Sequence, residues 1–112
     1  MLEMTWSKWA ALFVSAVAAG LLISPARSQN AGEKVYKAKC ATCHGADGAG
    51  ATPAGKATKA RDFHSEDVKK ETDEEWTQII VKGKNKMPAY DRKLTDAEIK
   101  DVVAYVRALS SK

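Results

Sequence analysis

Cys40-Ala41-Thr42-Cys43-His44 is the stretch from which the rest of this 112-residue chain is read. Two thiols three positions apart, followed at once by an imidazole, form the attachment signature of c-type haem. On a helical turn, side chains at i and i+3 share a face. Both sulfurs can then form thioethers to one porphyrin while the adjacent ring nitrogen reaches its iron. Two other chemistries use a Cys-x-x-Cys pair. A redox dithiol of the thioredoxin kind needs a βαβ setting, which the flanking sequence lacks. A zinc site needs four ligands, and the chain offers only these two cysteines and one other histidine, His64, remote in sequence.

Upstream, Lys8 precedes an uncharged apolar run from Trp9 to Ile23, followed by Ser24-Pro25-Ala26-Arg27-Ser28. Ala26 and Ser28 provide a small-x-small processing site ahead of Gln29, with Ser24-x-Ala26 as an alternative, so residues 1–28 read as a secretory signal. Glu3 offsets Lys8, and the charge-free stretch from Trp9 to Ala26 is just long enough for a membrane anchor, the competing reading. Ser15, Gly20 and Pro25 weaken it. Residues 29–112 remain as a single domain.

Of those 84 residues only twelve are Leu, Ile, Val or Phe, a fraction at which a chain struggles to build a core unaided. A macrocycle changes the balance by placing a large apolar surface in the middle of the molecule, as disulfides or metals do for other small domains. The domain carries 16 basic and 13 acidic residues, yet seven acids face two lysines between Asp62 and Glu75. The charge is therefore separated into a dipole. No basic fold motif is present, which argues against nucleic acid as a partner.

Helix signals punctuate the domain. Asn30 and Glu33 have capping-box spacing and open a helix to about Cys40, with Gly32, Tyr36 and Cys40 on one face. A glycine inside a helix is unfavourable unless a neighbour must come close, so Gly32 predicts a tight helix crossing. From Gly45 to Lys59 no apolar period exists and the segment reads as a loop wrapped around a flat ligand. Ser65 caps a short turn anchored by Phe63 and Val68. Thr72 and Glu75 open a helix through about Lys82, stopped by Gly83, with Trp76, Ile79 and Ile80 inward. Thr95 and Glu98 open the last helix, in which Ile99, Val102, Val103, Val106 and Leu109 repeat at helical spacing. Four helical segments and no strand predict an all-α domain.

An iron held by His44 has a second axial position, and its occupant decides the chemistry: an open position binds gases or peroxide, whereas a filled one passes electrons. After processing, Met87 is the only methionine. It stands in a loop between two helices, immediately before Pro88, which restricts the backbone. A lone methionine is commonly core filling; with a haem signature upstream, Met87 is the candidate second ligand.

From Gly32, Tyr36 and Cys-Ala-Thr-Cys-His through Lys86-Met87-Pro88-Ala89-Tyr90 to Tyr105, the chain resembles the class I c-type cytochromes, particularly the short bacterial and photosynthetic monohaem forms. The resemblance implies about four helices around one covalent haem c. The first and last of them would cross at right angles, with Gly32 and Tyr36 against Val102 and Tyr105. It implies thioethers at Cys40 and Cys43, His44 as proximal ligand and Met87 as distal ligand. It also implies that a proline after the motif offers its carbonyl to the other ring nitrogen of His44, and Pro53 stands in that place. Trp76 and Tyr90 are candidates for lining the haem or hydrogen-bonding a propionate, with core packing as the alternative. His64 has no role in the resemblance; it reads as a surface histidine and is the only other imidazole available to a bis-histidine site.

The function implied is that of a monomeric periplasmic electron carrier, not an enzyme, working between redox proteins. Lys37, Lys39, Lys56, Lys59, Lys82, Lys84 and Lys86 flank the ligand-bearing segments, so the expected docking partner presents an acidic surface in a transient interface. Two rivals stand beside it: an open-site haem sensor or peroxidase, and a membrane-anchored haem subunit of a respiratory or dehydrogenase complex that retains its N-terminal segment.

Overall fold

The computed structural model describes residues 25–112, with side chains from Gln29 onward. The expected signal lies for the most part outside these residues. Six helices follow in order: α1 Pro25–Lys39, α2 Ala41–His44, α3 Pro53–Thr58, α4 Glu66–Lys69, α5 Asp73–Lys82 and α6 Asp96–Ser110. Among the described residues the only strand-like pairing is one isolated bridge, Lys84 with Met87. The all-α reading therefore holds.

α5 and α6 begin where their capping boxes predict. Thr72 accepts from the Glu75 N–H at 3.1 Å while Glu75 accepts from the Thr72 N–H at 2.7 Å; Thr95 and Glu98 repeat the arrangement. Three local readings change. α1 starts at Pro25 rather than Asn30, because Ala26, Arg27 and Gln29 are compatible with helix and nothing upstream of Asn30 forces a stop. The predicted Gly45–Lys59 loop contains α3, a helix with no apolar period. It is set by the Thr52 cap, by Pro53 at the first position and by a left-handed Lys59 at its end. Ser65 precedes α4, but its hydroxyl donates to the Asp62 carbonyl instead of capping the helix.

The core forms where α1 crosses α6. Tyr36 and Val102 are each only 1% exposed, and the Tyr36 and Tyr105 rings approach to 5.2 Å. Gly32 makes this crossing: a Cβ there would run into the Asp101 carbonyl oxygen and stand 2.9 Å from Tyr105 Cβ. The close approach read from a single glycine is thus present, with Asp101 and Tyr105 as the partners. On the other side α5 is tied to α6 through Arg107. Its guanidinium lies 3.6 Å over the Trp76 ring and donates to Asp73 Oδ1, to the Lys69 carbonyl and to the Glu71 carbonyl. A cation over an indole face whose donors are also satisfied combines packing with electrostatics. The two long helices and α5 thereby form a frame, and the segments between them are free to shape a cavity.

Candidate functional site

α1 ends at Lys39 and the Cys40–His44 motif forms a turn of its own. The N–H of Cys40 still bonds the Tyr36 carbonyl at 2.8 Å, and the N–H groups of Cys43 and His44 bond the Cys40 carbonyl at 3.2 and 3.0 Å. The turn is held from below by the Tyr36 hydroxyl, which donates to the Gly45 carbonyl at 2.5 Å. From the side the Thr52 hydroxyl lies 2.7 Å from the Thr42 carbonyl and 2.9 Å from that of Cys43. α3 packs so closely here that a side chain on Gly55 would overlap the Cys43 carbonyl. Tyr36, Thr52 and α3 thus hold the motif in place.

The methionine loop is built as tightly. α5 stops at Gly83, and Lys84 and Met87 then exchange backbone bonds, Lys84 N–H to Met87 O at 3.1 Å and Met87 N–H to Lys84 O at 2.9 Å. Asn85 turns the chain with φ of 54°, the left-handed region that asparagine tolerates. Three ties fix the loop to its surroundings: Tyr90 N–H to the Ile80 carbonyl at 2.9 Å, Tyr90 Oη to the Lys39 carbonyl at 3.1 Å, and Lys86 Nζ to the Ala57 carbonyl at 3.3 Å.

Cys40, Cys43, His44, Met87 and Tyr90 all line one cavity of about 560 Å³, together with the Thr58–Arg61 return, Ile79 and the rest of the methionine loop. That volume lies within the usual range of cofactor pockets, about 300–1,000 Å³. Residues that are far apart in sequence thus share one chamber.

His44 is oriented by two groups. Its Nδ1 lies 3.2 Å from the Arg61 carbonyl, and the Phe63 ring stacks on the imidazole at 4.5 Å. A carbonyl only accepts, so the bond requires hydrogen on Nδ1 and leaves the lone pair on Nε2. Burial holds the imidazole below its ordinary pKa, partly opposed by the Arg61 bond, which favours the neutral ring that a metal needs. Pro53 does not supply this acceptor. It is the first residue of α3, and the chain that passes the ring is the return from α3 at Arg61; a backbone carbonyl carries no residue-type signature by which sequence could have found it.

Trp76 does not line the cavity. It is a core residue, 6% exposed, one ring removed from His44 through Phe63 at 6.4 Å, and its indole N–H is buried without a partner. Tyr90 does line the cavity, but its hydroxyl is committed to Lys39, and burial foremost raises its pKa. His64 stands outside the cavity lining; its backbone N–H and its Nδ1 both meet Asp62 Oδ1, at 2.9 and 2.8 Å.

The donor set bears on the competing chemistries. Burial, followed by the neighbouring Cys43, pushes the Cys40 thiol up to about 11, the reverse of the lowered pKa that makes a dithiol redox-active. Among the described residues no group of three or more His, Cys, Asp or Glu side chains could hold a metal ion by itself, short of the four ligands a structural zinc takes. Two unpaired thiols, a neutral imidazole and a thioether around a chamber of this size suit a haem.

A family model described as cytochrome c oxidase, cbb3-type, subunit III matches residues 27–106. Over 103 residues the chain is 38% identical to cytochrome c6 of Thermostichus vulcanus, covering 86% of this chain and 80% of that protein. In three dimensions it is similar to the c-type cytochrome KustC0563, with a TM-score of 0.65 and 36% identity over 70% of this chain and 95% of the other. It is also similar to cytochrome c6 from the diatom Phaeodactylum tricornutum, with a TM-score of 0.58 and 30% identity over 74% and 94%.

Proposed function

This chain belongs to the class I c-type cytochromes, which hold one haem c covalently and carry electrons between redox proteins rather than catalyse a reaction, and from that premise we propose that it works in the periplasm with His44 and Met87 as axial ligands. The observation that carries this reading is the convergence of Cys40, Cys43, His44 and Met87 on one chamber. Haem, when bound, supplies the one-electron couple. Cys40 and Cys43 would tether it through thioethers. His44 presents Nε2 because the Arg61 carbonyl takes Nδ1–H, and Met87 is presented by a loop locked to α1, α3 and α5. Both ligand-bearing segments are fixed by backbone bonds, so little in the protein has to move when the charge at the centre changes.

Thioether ligation favours the ferrous state relative to imidazole, which makes this the high-potential kind of centre. Lys39, Lys59, Lys84 and Lys86 are exposed and line the chamber; together they form a basic rim suited to steering a transient encounter with an acidic surface on the redox partner. The carrier acts as a monomer. Residues 1–28 serve as its export signal; since α1 begins at Pro25, processing after Ser28 removes that helix's first turn and leaves the Gly32 crossing intact.

Absorption spectra of oxidised and reduced protein, with carbon monoxide added to the reduced form, test attachment and ligation together. A low-spin spectrum that carbon monoxide leaves unchanged is expected; a colourless protein, or rapid binding of the gas, refutes the reading. Met87→His should lower the midpoint potential, and an unchanged midpoint removes Met87 from the iron. The description of the matched family favours a second reading, a haem subunit of a respiratory complex retained at the membrane. No described helix is long and apolar enough to cross a membrane; if the N-terminal segment is the anchor it must be kept, which a mass measurement of the purified protein decides.

A further inference from the structure

We infer that the Arg61–Glu71 ion pair is a positioning device for the proximal imidazole: it holds the Arg61 carbonyl against His44 Nδ1 and thereby keeps the midpoint potential lower than it would otherwise be. The inference rests on His44 being an iron ligand. Arg61 Nη1 stands 2.6 Å from Glu71 Oε1, with the two side chains 39% and 23% exposed. The chain on either side of Arg61 is pinned, by Ala60 N–H on the Gly55 carbonyl at 2.8 Å and by Phe63 N–H on the Gly48 carbonyl at 2.9 Å. On the far side of the peptide whose carbonyl meets His44, Asp62 accepts from the Ser65 N–H at 3.1 Å and from the His64 N–H at 2.9 Å; on the near side the anchor is the side chain of Arg61.

Glu71 is itself immobilised. Its N–H bonds the Val68 carbonyl at 3.1 Å and its own carbonyl takes Arg107 Nη2 at 2.8 Å, so it connects the α6 frame to the proximal side of the chamber. Its second carboxylate oxygen, Oε2, is buried without a partner. A carboxylate oxygen shut away from both water and a partner is unfavourable for stability alone, and the ion pair that the other oxygen makes is with the arginine that carries the carbonyl. A carbonyl on Nδ1–H makes the imidazole a stronger base, and a stronger base favours ferric over ferrous iron. Loosening the pair should therefore raise the midpoint.

Two variants separate positioning from plain charge. Glu71→Gln removes an anion and raises the midpoint under either account. Arg61→Gln removes a cation: it lowers the midpoint if only charge acts, and raises it if the guanidinium works by holding the carbonyl. Solvent exchange of the His44 Nδ1 proton, followed by NMR in the reduced diamagnetic protein, gives a second readout. Exchange should be slow in the native protein and about tenfold faster in both variants, as expected for losing one modest hydrogen bond. A midpoint that falls in Arg61→Gln, or exchange left unchanged by both substitutions, overturns the inference. Should Arg61→Gln fail to assemble, native and Glu71→Gln protein decide by the exchange measurement alone, and native exchange as rapid as that of free histidine overturns it. The low-spin spectrum of the same samples keeps the two levels apart: its absence from native protein means that the ligand assignment has failed, and its persistence with the wrong sign of shift means that only the positioning role has.

Discussion

Replacing Gly32 by alanine tests the crossing on which the fold depends. A Cβ at this position would stand 2.8 Å from the Asp101 carbonyl carbon and 2.9 Å from Tyr105 Cβ, nearer still to the Asp101 oxygen, against ordinary contacts of 3.4–4 Å. α1 and α6 must therefore part by more than half an ångström. The obstructing atoms at Asp101 are backbone, which cannot rotate away as the end of a long side chain would. Overpacking of this kind costs about 1–3 kcal/mol, while alanine in place of glycine inside a helix returns about 0.5–1 kcal/mol. The net expectation is a loss centred near ~1 kcal/mol and reaching about 2.5 kcal/mol, a fall in melting temperature of several degrees, at about 4–8 °C per kcal/mol for a domain of this size. Thermal unfolding of the haem-loaded protein, followed by far-ultraviolet circular dichroism and by haem absorbance, measures it. Ala31→Gly, one residue away on the exposed side of α1, calibrates the propensity term and should cost about 0.5–1 kcal/mol. A Gly32→Ala protein that melts at or above the native temperature would refute the close crossing.

Three further outcomes are expected. Haem-free protein should show no cooperative thermal transition, because twelve Leu, Ile, Val and Phe residues in the domain cannot close a core around an empty chamber; a sharp calorimetric peak from haem-free protein would contradict this. Electron transfer to an acidic partner should slow as ionic strength rises if the basic rim steers the encounter, and stopped-flow rates indifferent to salt would dismiss steering. The Asp62 carboxyl is held below the ordinary value of 3.8, first by the His64 backbone N–H and then by its ring. A depressed pKa contributes stability that is present above the ordinary value and lost as pH falls through the folded one. Asp62→Asn should therefore be less stable than native protein at neutral pH and converge with it in acid, and denaturant titrations showing a constant gap across that range would exclude the linkage.

What could be read directly from the sequence was what depends on local spacing. The Cys40–His44 pentapeptide announces haem because its chemistry is confined to one turn. Thr72 with Glu75 and Thr95 with Glu98 mark helix starts because each capping box closes within four residues, and the apolar period of α6 identifies the face it buries. Gly32 predicted a close neighbour without naming it. The tertiary structure decided what depends on the returning chain. α3 has no apolar period and owes its place to the Thr52 cap and to close packing beneath Cys43, so composition alone read it as loop. Arg61 rather than Pro53 meets His44 because a carbonyl is contributed by whichever backbone passes the ring, and every residue type offers the same group. Trp76 is kept out of the chamber by packing beneath Arg107 and beside Phe63, while Tyr90 is held at its wall by the bond to the Lys39 carbonyl. Short-range signals determined which residues can take part; where the chain returns after each turn determined which of them meet.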